Sequence, residues 1–229
     1  MRLAEIRRYP VKSLLGEELP AAAVGWRGMD GDRLWAVRDA DGKFGSGKNT
    51  RRFRRMAGLF DLRAYGDGDV PSVTMADGRT FRADDPAAFE AVSAHLGRSV
   101  TLAREDTVPH HDEGPVSVIT TAGLRALSRL AGRPVEATRF RANLLIDVPG
   151  TGFPEDAWVG RPLRIGPSVI LRPQRPLTRC VMVDMAQDGL PARDDLLKRL
   201  AEAHDLTFGL WATVLHPGTV GAGDECALV

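Results

Sequence analysis

Apolar and polar positions alternate through the first hundred residues between turn signals, which is the period of strands with one buried face. Leu3, Glu5-Ile6 and Tyr9 begin a strand that Pro10 limits; Arg33 to Val37 predicts a second, closed by Asp39-Ala40-Asp41-Gly42. Leu59 to Tyr65 and Val73 to Met75 continue the pattern, and Asp77-Gly78 predicts a hairpin turn. The period then changes. Asp84-Asp85-Pro86 is a helix start, and Phe89, Val92 and Leu96 recur at helical spacing until Gly97.

A charged loop, Asp106 to Pro115, carries two prolines and two histidines and marks the expected boundary between units 1–105 and 106–229. Beyond it, Val116 to Ile119 reads as a strand, and Thr120 or Thr121 opens a helix through Leu124, Leu127 and Leu130 to Gly132. Asn143 to Val148, Leu163 to Ile165, Val169 to Leu171 and Cys180 to Asp184 predict further strands. A last helix is expected over Arg193 to His204, with Leu196, Leu197, Leu200 and Ala201 on one face. Leu210 to Leu215 and Glu225 to Val229 close the pattern as strands. Many short strands with few helices predict a β-rich α+β protein built on barrels or sandwiches, not a doubly wound sheet.

Composition narrows the function classes. At 229 residues the chain can bury one large core or two small ones, and its net charge of +1 argues against nucleic acid as a partner. The two cysteines make no disulfide framework, so a reducing compartment is expected. The opening MRLAEIRRYPVKSL lacks the apolar core of a secretory signal, and no stretch is apolar enough for a membrane span. A cytoplasmic protein without a membrane partner is the expectation.

Each thiol needs its own account. Cys180, in Arg175-Pro176-Leu177-Thr178-Arg179-Cys180-Val181, reads either as a core residue or as a thiolate favoured by its flanking arginines. Cys226 has no such company and reads as core or edge strand. Lys12-Ser13, Arg33, Arg139-Phe140-Arg141-Ala142-Asn143 and Thr178-Arg179 place cations or hydroxyls at strand ends, where they could converge on one phosphate or stand as separate solvated charges. Gly42 to Asn49 nearly spells a phosphate-binding loop but has Asn49 where Ser or Thr would bind magnesium. His110-His111-Asp112-Glu113 reads as a solvated loop, and Arg51, Arg52, Arg54 and Arg55 as exposed charge open to an acidic partner.

Taken in order, Tyr9-Pro10-Val11-Lys12-Ser13, Asp32-Arg33-Leu34-Trp35, Gly114-Pro115-Val116, Arg139 to Leu144, Trp158-Val159-Gly160, Thr178-Arg179-Cys180, Phe208-Gly209, His216 to Val220 and Gly223-Asp224 resemble the MOSC family. The arrangement is most similar to the amidoxime-reducing members, which reduce N-hydroxylated compounds. The resemblance implies a MOSC N-terminal β-barrel domain over 1–105 and a MOSC β-barrel with peripheral helices over 106–229. It implies a molybdenum cofactor (molybdopterin) whose metal is ligated by the catalytic Cys180. Lys12, Ser13, Arg33, Thr120, Arg141, Asn143, Thr178 and Arg179 stand where the family binds the cofactor. The implied activity is a molybdenum-dependent oxidoreductase taking N–OH to N–H on a small molecule. The two cysteines are too few for an iron–sulfur cluster, so electrons are expected from a separate ferredoxin, flavoprotein or cytochrome. A persulfide carrier acting through Cys180, or a non-catalytic cofactor carrier, are the alternatives.

Overall fold

In a computed structural model, which describes residues 1–66 and 68–229, an eight-stranded sheet forms the centre of the molecule. Its order in space runs through residues 226–228, 163–165, 169–178, 207–216, 116–120, 144–147, 2–8 and 17–19. Neighbours are antiparallel except Val116–Thr120 beside Leu144–Asp147, whose parallel crossover contains the helix α2 (Thr121–Ala131). The first strand also returns to the tail of the chain. Leu3 N–H donates to Asp224 O at 2.8 Å, Gly223 N–H to Leu3 O at 2.7 Å, and Cys226 N–H to Met1 O at 2.9 Å. The sheet therefore closes on itself, which removes two exposed edges.

Alternation decides what fills the barrel and what faces outward. Val116, Val118, Leu144 and Ile146 point into an interior completed by Leu3, Ile6, Leu163, Leu171, Leu210 and Cys226. Ile119 and Leu145, one residue out of phase, join a second cluster under α2 and α3 (Leu196–His204) with Leu127, Phe140, Leu196 and Leu200. Phe208 belongs to that outer cluster although Leu210, two residues on, lies inside the barrel. Gly209 makes the switch: its φ of 72° breaks the alternation, and a Cβ there would sit 2.5 Å from Val118 O.

The remaining N-terminal strands form a second core around Val11, Leu14, Val37, Leu59, Leu62, Val73 and Leu102, with α1 (Pro86–Leu96) packed against it. The helix begins and ends as expected: the Asp85 carboxylate accepts from Ala87 N–H, and Gly97 closes it in the left-handed region. The division after residue 105 does not partition the main sheet. Residues 2–8 and 17–19 pair within it, and the hairpin 21–29 pairs with Gly218–Gly221.

Three expected elements differ. Leu59–Asp61 is a 3₁₀ turn ahead of a short strand at Arg63–Tyr65, because Gly58 at φ 83° turns Leu59 and Phe60 inward together. Cys180 to Asp184 is not a strand: its neighbour 207–216 begins at Thr207, opposite Thr178, so Val181–Val183 has no pairing partner and coils as a 3₁₀ turn. The last helix starts at Leu196, not Arg193. The Asp184 carboxylate caps it by accepting from Leu196 and Leu197 N–H, both at 3.1 Å.

Gly209→Ala should destabilise the fold by about 2–4 kcal/mol, from left-handed strain and the contact with Val118 O. Denaturant unfolding measures it, and a loss below about 0.5 kcal/mol would show that the alternation switch does not need glycine.

Candidate functional site

Three turns deliver three side chains to one place. Val11–Lys12 pairs with Trp35–Ala36 and ends at Ser13, where the chain turns with φ 69° and Leu14 plugs the N-terminal core. Arg33 follows the buried Asp32 at φ 50°, and Arg141 closes the 3₁₀ turn Ala137–Phe140 at φ 53°. Among the described residues, these are three of the six non-glycine positions with positive φ. Such a conformation costs roughly 1–3 kcal/mol each in a residue that is not glycine, and its concentration here points to a functional demand.

The side chains crowd positive charge around Tyr9. The Arg33 and Arg141 guanidiniums lie 4.8 and 4.3 Å from the centre of its ring. Asp32, fully buried, accepts from Tyr9 N–H at 2.8 Å and pairs with Arg33, whose Nη2 donates to Arg141 O at 2.7 Å. Burial pulls the Lys12 ammonium down to about 8, against the opposing pull of Asp112, whose Oδ1 lies 2.5 Å from Nζ. Arg141 and Arg179 are both brought down to about 10, chiefly by burial.

A cavity of about 260 Å³ opens over this cluster. Seven lysines and arginines line it against two carboxylates, Asp112 and Glu113, so a nearly neutral chain has concentrated its positive charge in one concave place. Arg179 donates to Phe208 O at 2.8 Å and Phe140 O at 2.9 Å, which leaves its Nη2 over. That atom, Arg141 Nη1 and Trp211 Nε1 are enclosed donors with no partner. Buried donors are rarely left so, and three at one cavity call for an anionic ligand rich in acceptors.

Of the residues singled out in the sequence, Lys12, Ser13, Arg33, Arg141, Asn143, Thr178, Arg179 and Cys180 all line the cavity. Ser13 and Asn143, like Lys12, Arg33 and Arg179, are already engaged with the protein. Ser13 Oγ donates to Gly45 O at 2.7 Å. Asn143 clamps two barrel strands, its Oδ1 accepting from Ser117 N–H and Oγ while its Nδ2 donates to Arg7 O. Thr120 is a correction. It is fully buried as the N-cap of α2, accepting from Gly123 N–H at 3.0 Å and donating to Glu155 Oε2 at 2.7 Å, so its hydroxyl does not reach the cavity.

The histidine loop is also corrected. His110 is fully buried with its ring edge on Phe44 at 5.0 Å, and burial lowers both His110 and His111 to about 4, which keeps them neutral. That loop supplies Asp112, Glu113 and Gly114 to the cavity wall, and Lys48, Arg52, Phe53 and Trp211 complete it from elsewhere. A sequence signal existed for the near-phosphate-loop: Gly47 packs so closely on Met182 and Met185 that a Cβ would lie 2.9 Å from each, which ties that loop to the Cys180 segment.

Cys180 stands half-buried at the head of its 3₁₀ turn, on the cavity wall. Cys226 is in the barrel core, where burial pushes its thiol up to about 11. Among the described residues, no three His, Cys, Asp or Glu side chains gather to hold a metal. A metal bound at Cys180 must therefore arrive with its other ligands attached. An anionic cofactor that carries its own metal ligands and a phosphate fits this cavity, with the soft sulfur of Cys180 at one end and guanidiniums at the other.

Comparison with known proteins identifies the family. The profile of the MOSC domain matches residues 105–227, and that of the MOSC N-terminal beta barrel domain matches residues 1–95. The chain is 30% identical over 138 residues to mitochondrial amidoxime-reducing component 1 of Mus musculus, covering 55% of this chain and 39% of that protein. It is 25% identical over 252 aligned positions to molybdenum cofactor sulfurase of Drosophila grimshawi, covering 93% of this chain and 32% of the other. The chain thus spans only about a third of the length of these relatives. The YUAD protein of Bacillus subtilis shares the fold, with a TM-score of 0.54 at 14% identity over 98% of this chain and 93% of that one.

Inorganic phosphate is a sufficient probe of the basic end. Arg141→Ala should weaken its binding by about 2 kcal/mol, roughly thirtyfold, by calorimetry. With the parent, affinity should fall as pH rises through about 8 and Lys12 loses its proton. Lys12→Arg should flatten that dependence, since guanidinium stays charged. Unchanged phosphate affinity in both variants would mean the cations do not act together.

Proposed function

The chain belongs to the MOSC family, and on that premise we propose that it binds a molybdenum cofactor and reduces N-hydroxylated small molecules with electrons from a separate redox protein. One observation carries this reading: a single half-buried thiol, Cys180, without companion metal ligands, on the wall of a cavity rich in unpaired cationic donors.

Lys12, Arg33 and Arg141 would hold the cofactor's phosphate, with the Ser13 turn beside them, while Arg179 and Trp211 meet polar atoms nearer the metal. Asn143 acts by fixing the strands that carry this wall. Cys180 supplies the thiolate ligand, with Thr178 beside it at the rim. The bound group would contribute a metal centre able to pass two electrons; the chain contributes position, charge and exclusion of water. A persulfide carrier is the second reading, favoured by the accessibility of Cys180 and the likeness to a cofactor sulfurase.

Electrons need an entry point. Among the described residues no set of cysteines can hold an iron–sulfur cluster. The basic run is smaller than it reads in sequence. Arg54 is paired with Asp39 and Asp41, and Arg52 donates to the carbonyls of Pro109 and His111. Lys48, on the cavity wall, and Arg51 and Arg55, further along the same segment, remain exposed and would form the docking charge for an acidic carrier.

Cys180→Ser, made in a host that synthesises the cofactor, should keep the fold, lose sulfur ligation by metal spectroscopy and lose nearly all activity on an amidoxime. Full activity with an unchanged spectrum would overturn the assignment. A cyanide-labile sulfur on Cys180 of the parent, without reductase activity, would favour the carrier instead. The purified protein should turn over with reduced viologen and not with NADH alone. Arg51→Glu with Arg55→Glu should slow reduction by an acidic protein donor about tenfold, in a salt-dependent manner, and leave the viologen rate unchanged.

A further inference from the structure

The two carboxylates of the cavity are differently employed. Asp112 is exposed at the mouth and committed to Lys12 at 2.5 Å. Glu113 is turned inward, with 20% of its side chain exposed. Its Oε2 is ion-paired with Arg175 Nη1 at 3.0 Å, which leaves Oε1 as the carboxylate oxygen on the cavity wall. A carboxylate oxygen in that position can accept from a ligand hydroxyl.

The next residue in the chain fixes the position of Glu113. A Cβ on Gly114 would lie 2.2 Å from the Trp211 indole, so the backbone after Glu113 runs flat against that ring. Trp211 Nε1 is itself enclosed without an acceptor and faces the same cavity. Glu113 shares the cavity wall with Arg179 and Cys180, and its charge acts on Arg179. Asp112 acts instead on Lys12, Arg33 and Arg52, at the other end. An N–OH group is donor and acceptor at once. Its oxygen can accept from Trp211 Nε1–H while its hydroxyl donates to Glu113 Oε1.

We propose that Glu113 is the proton relay of the reduction, carrying a proton from solvent at the mouth to the departing oxygen. This rests on the reductase reading above. The bound cofactor would supply the two electrons that break the N–O bond, and the external donor would restore them. Oxygen leaves as water with the proton relayed through Glu113, and nitrogen takes the second proton from solvent to form the N–H bond. The charged groups around Glu113 are Arg175, ion-paired with its Oε2, Arg179 on the same cavity wall, and Arg52, Asp112 and His111 on the rim.

The test compares the cofactor-loaded parent with Glu113→Gln and Glu113→Asp. Molybdenum and pterin content, calorimetric affinity for an aromatic amidoxime, and single-turnover reduction after treatment with reduced viologen are measured across pH. Glu113→Gln should load like the parent and bind the amidoxime within about threefold, yet reduce it about 100-fold more slowly with the pH dependence flattened. Glu113→Asp should keep the pH dependence at an intermediate rate. Independently of turnover, difference infrared spectra of the loaded parent on adding the amidoxime should show a change in a carboxylate band that is absent from Glu113→Gln. A glutamine variant with the parent's rate and pH profile overturns the relay while leaving the reductase reading intact. So does a loss that merely tracks cofactor content or amidoxime affinity, which marks a structural role. A loaded parent that binds but does not reduce the amidoxime overturns both.

Discussion

The pairing of residues 2–8 on both sides is the constraint on which the molecule depends. One side of this strand bonds to Leu144–Asp147, and its first residues close the barrel against the segment 223–226. Because it is held there, the chain leaving it at Tyr9 passes directly over the turn that carries Arg141, and Tyr9 lies between Arg33 and Arg141 as the contact surface. The N-terminal core then fixes Lys12 and Ser13 from below through Leu14, which is fully buried. The cavity is therefore not a feature of either half. It exists where one sheet's edge strand hands the chain over to a second core.

What is gathered there is costly by itself. Several cations lie close together with fewer carboxylates than they need, three donors lack acceptors, and three side chains sit in strained backbone. In a protein whose whole stability amounts to about 5–15 kcal/mol, such a cluster is tolerable only if the surrounding packing over-determines it. The barrel interior, the outer helix layer and the N-terminal core meet around it. A ligand that supplies the missing negative charge recovers part of that cost, so occupancy and stability are linked quantities.

Much of this was legible in the sequence, and the exceptions have causes. Helices α1 and α2 were readable because Asp85 with Pro86, Thr120, Gly97 and Gly132 are local signals that the tertiary structure obeys. The strand expected at Cys180 failed because strand formation needs a partner, and whether Thr207 begins opposite Thr178 is not written in residues 180–184. Thr120 was misplaced for a related reason: a threonine at a helix start can cap its own helix or reach a ligand, and the buried Glu155 that claims it is distant in sequence. His110 to Glu113 read as solvent-facing from polarity alone, yet their surroundings, Phe44, Arg38 and Lys12, come from the first fifty residues. The short strands at 17–19, 21–25 and 28–29 carry few apolar residues and are held by pairing more than by pattern.

The way the barrel is closed also has a bearing on biosynthesis. Residues 2–8 find their partners at residues 144–147 and 223–226, so the strand must wait for segments far along the chain. Contacts of such separation in sequence form late and slowly, and until they do the Tyr9–Ser13 segment has nothing to lie against. The N-terminal core can assemble early from its own strands and α1; the cavity cannot. Loading with any ligand that needs both walls therefore follows the closing of the barrel.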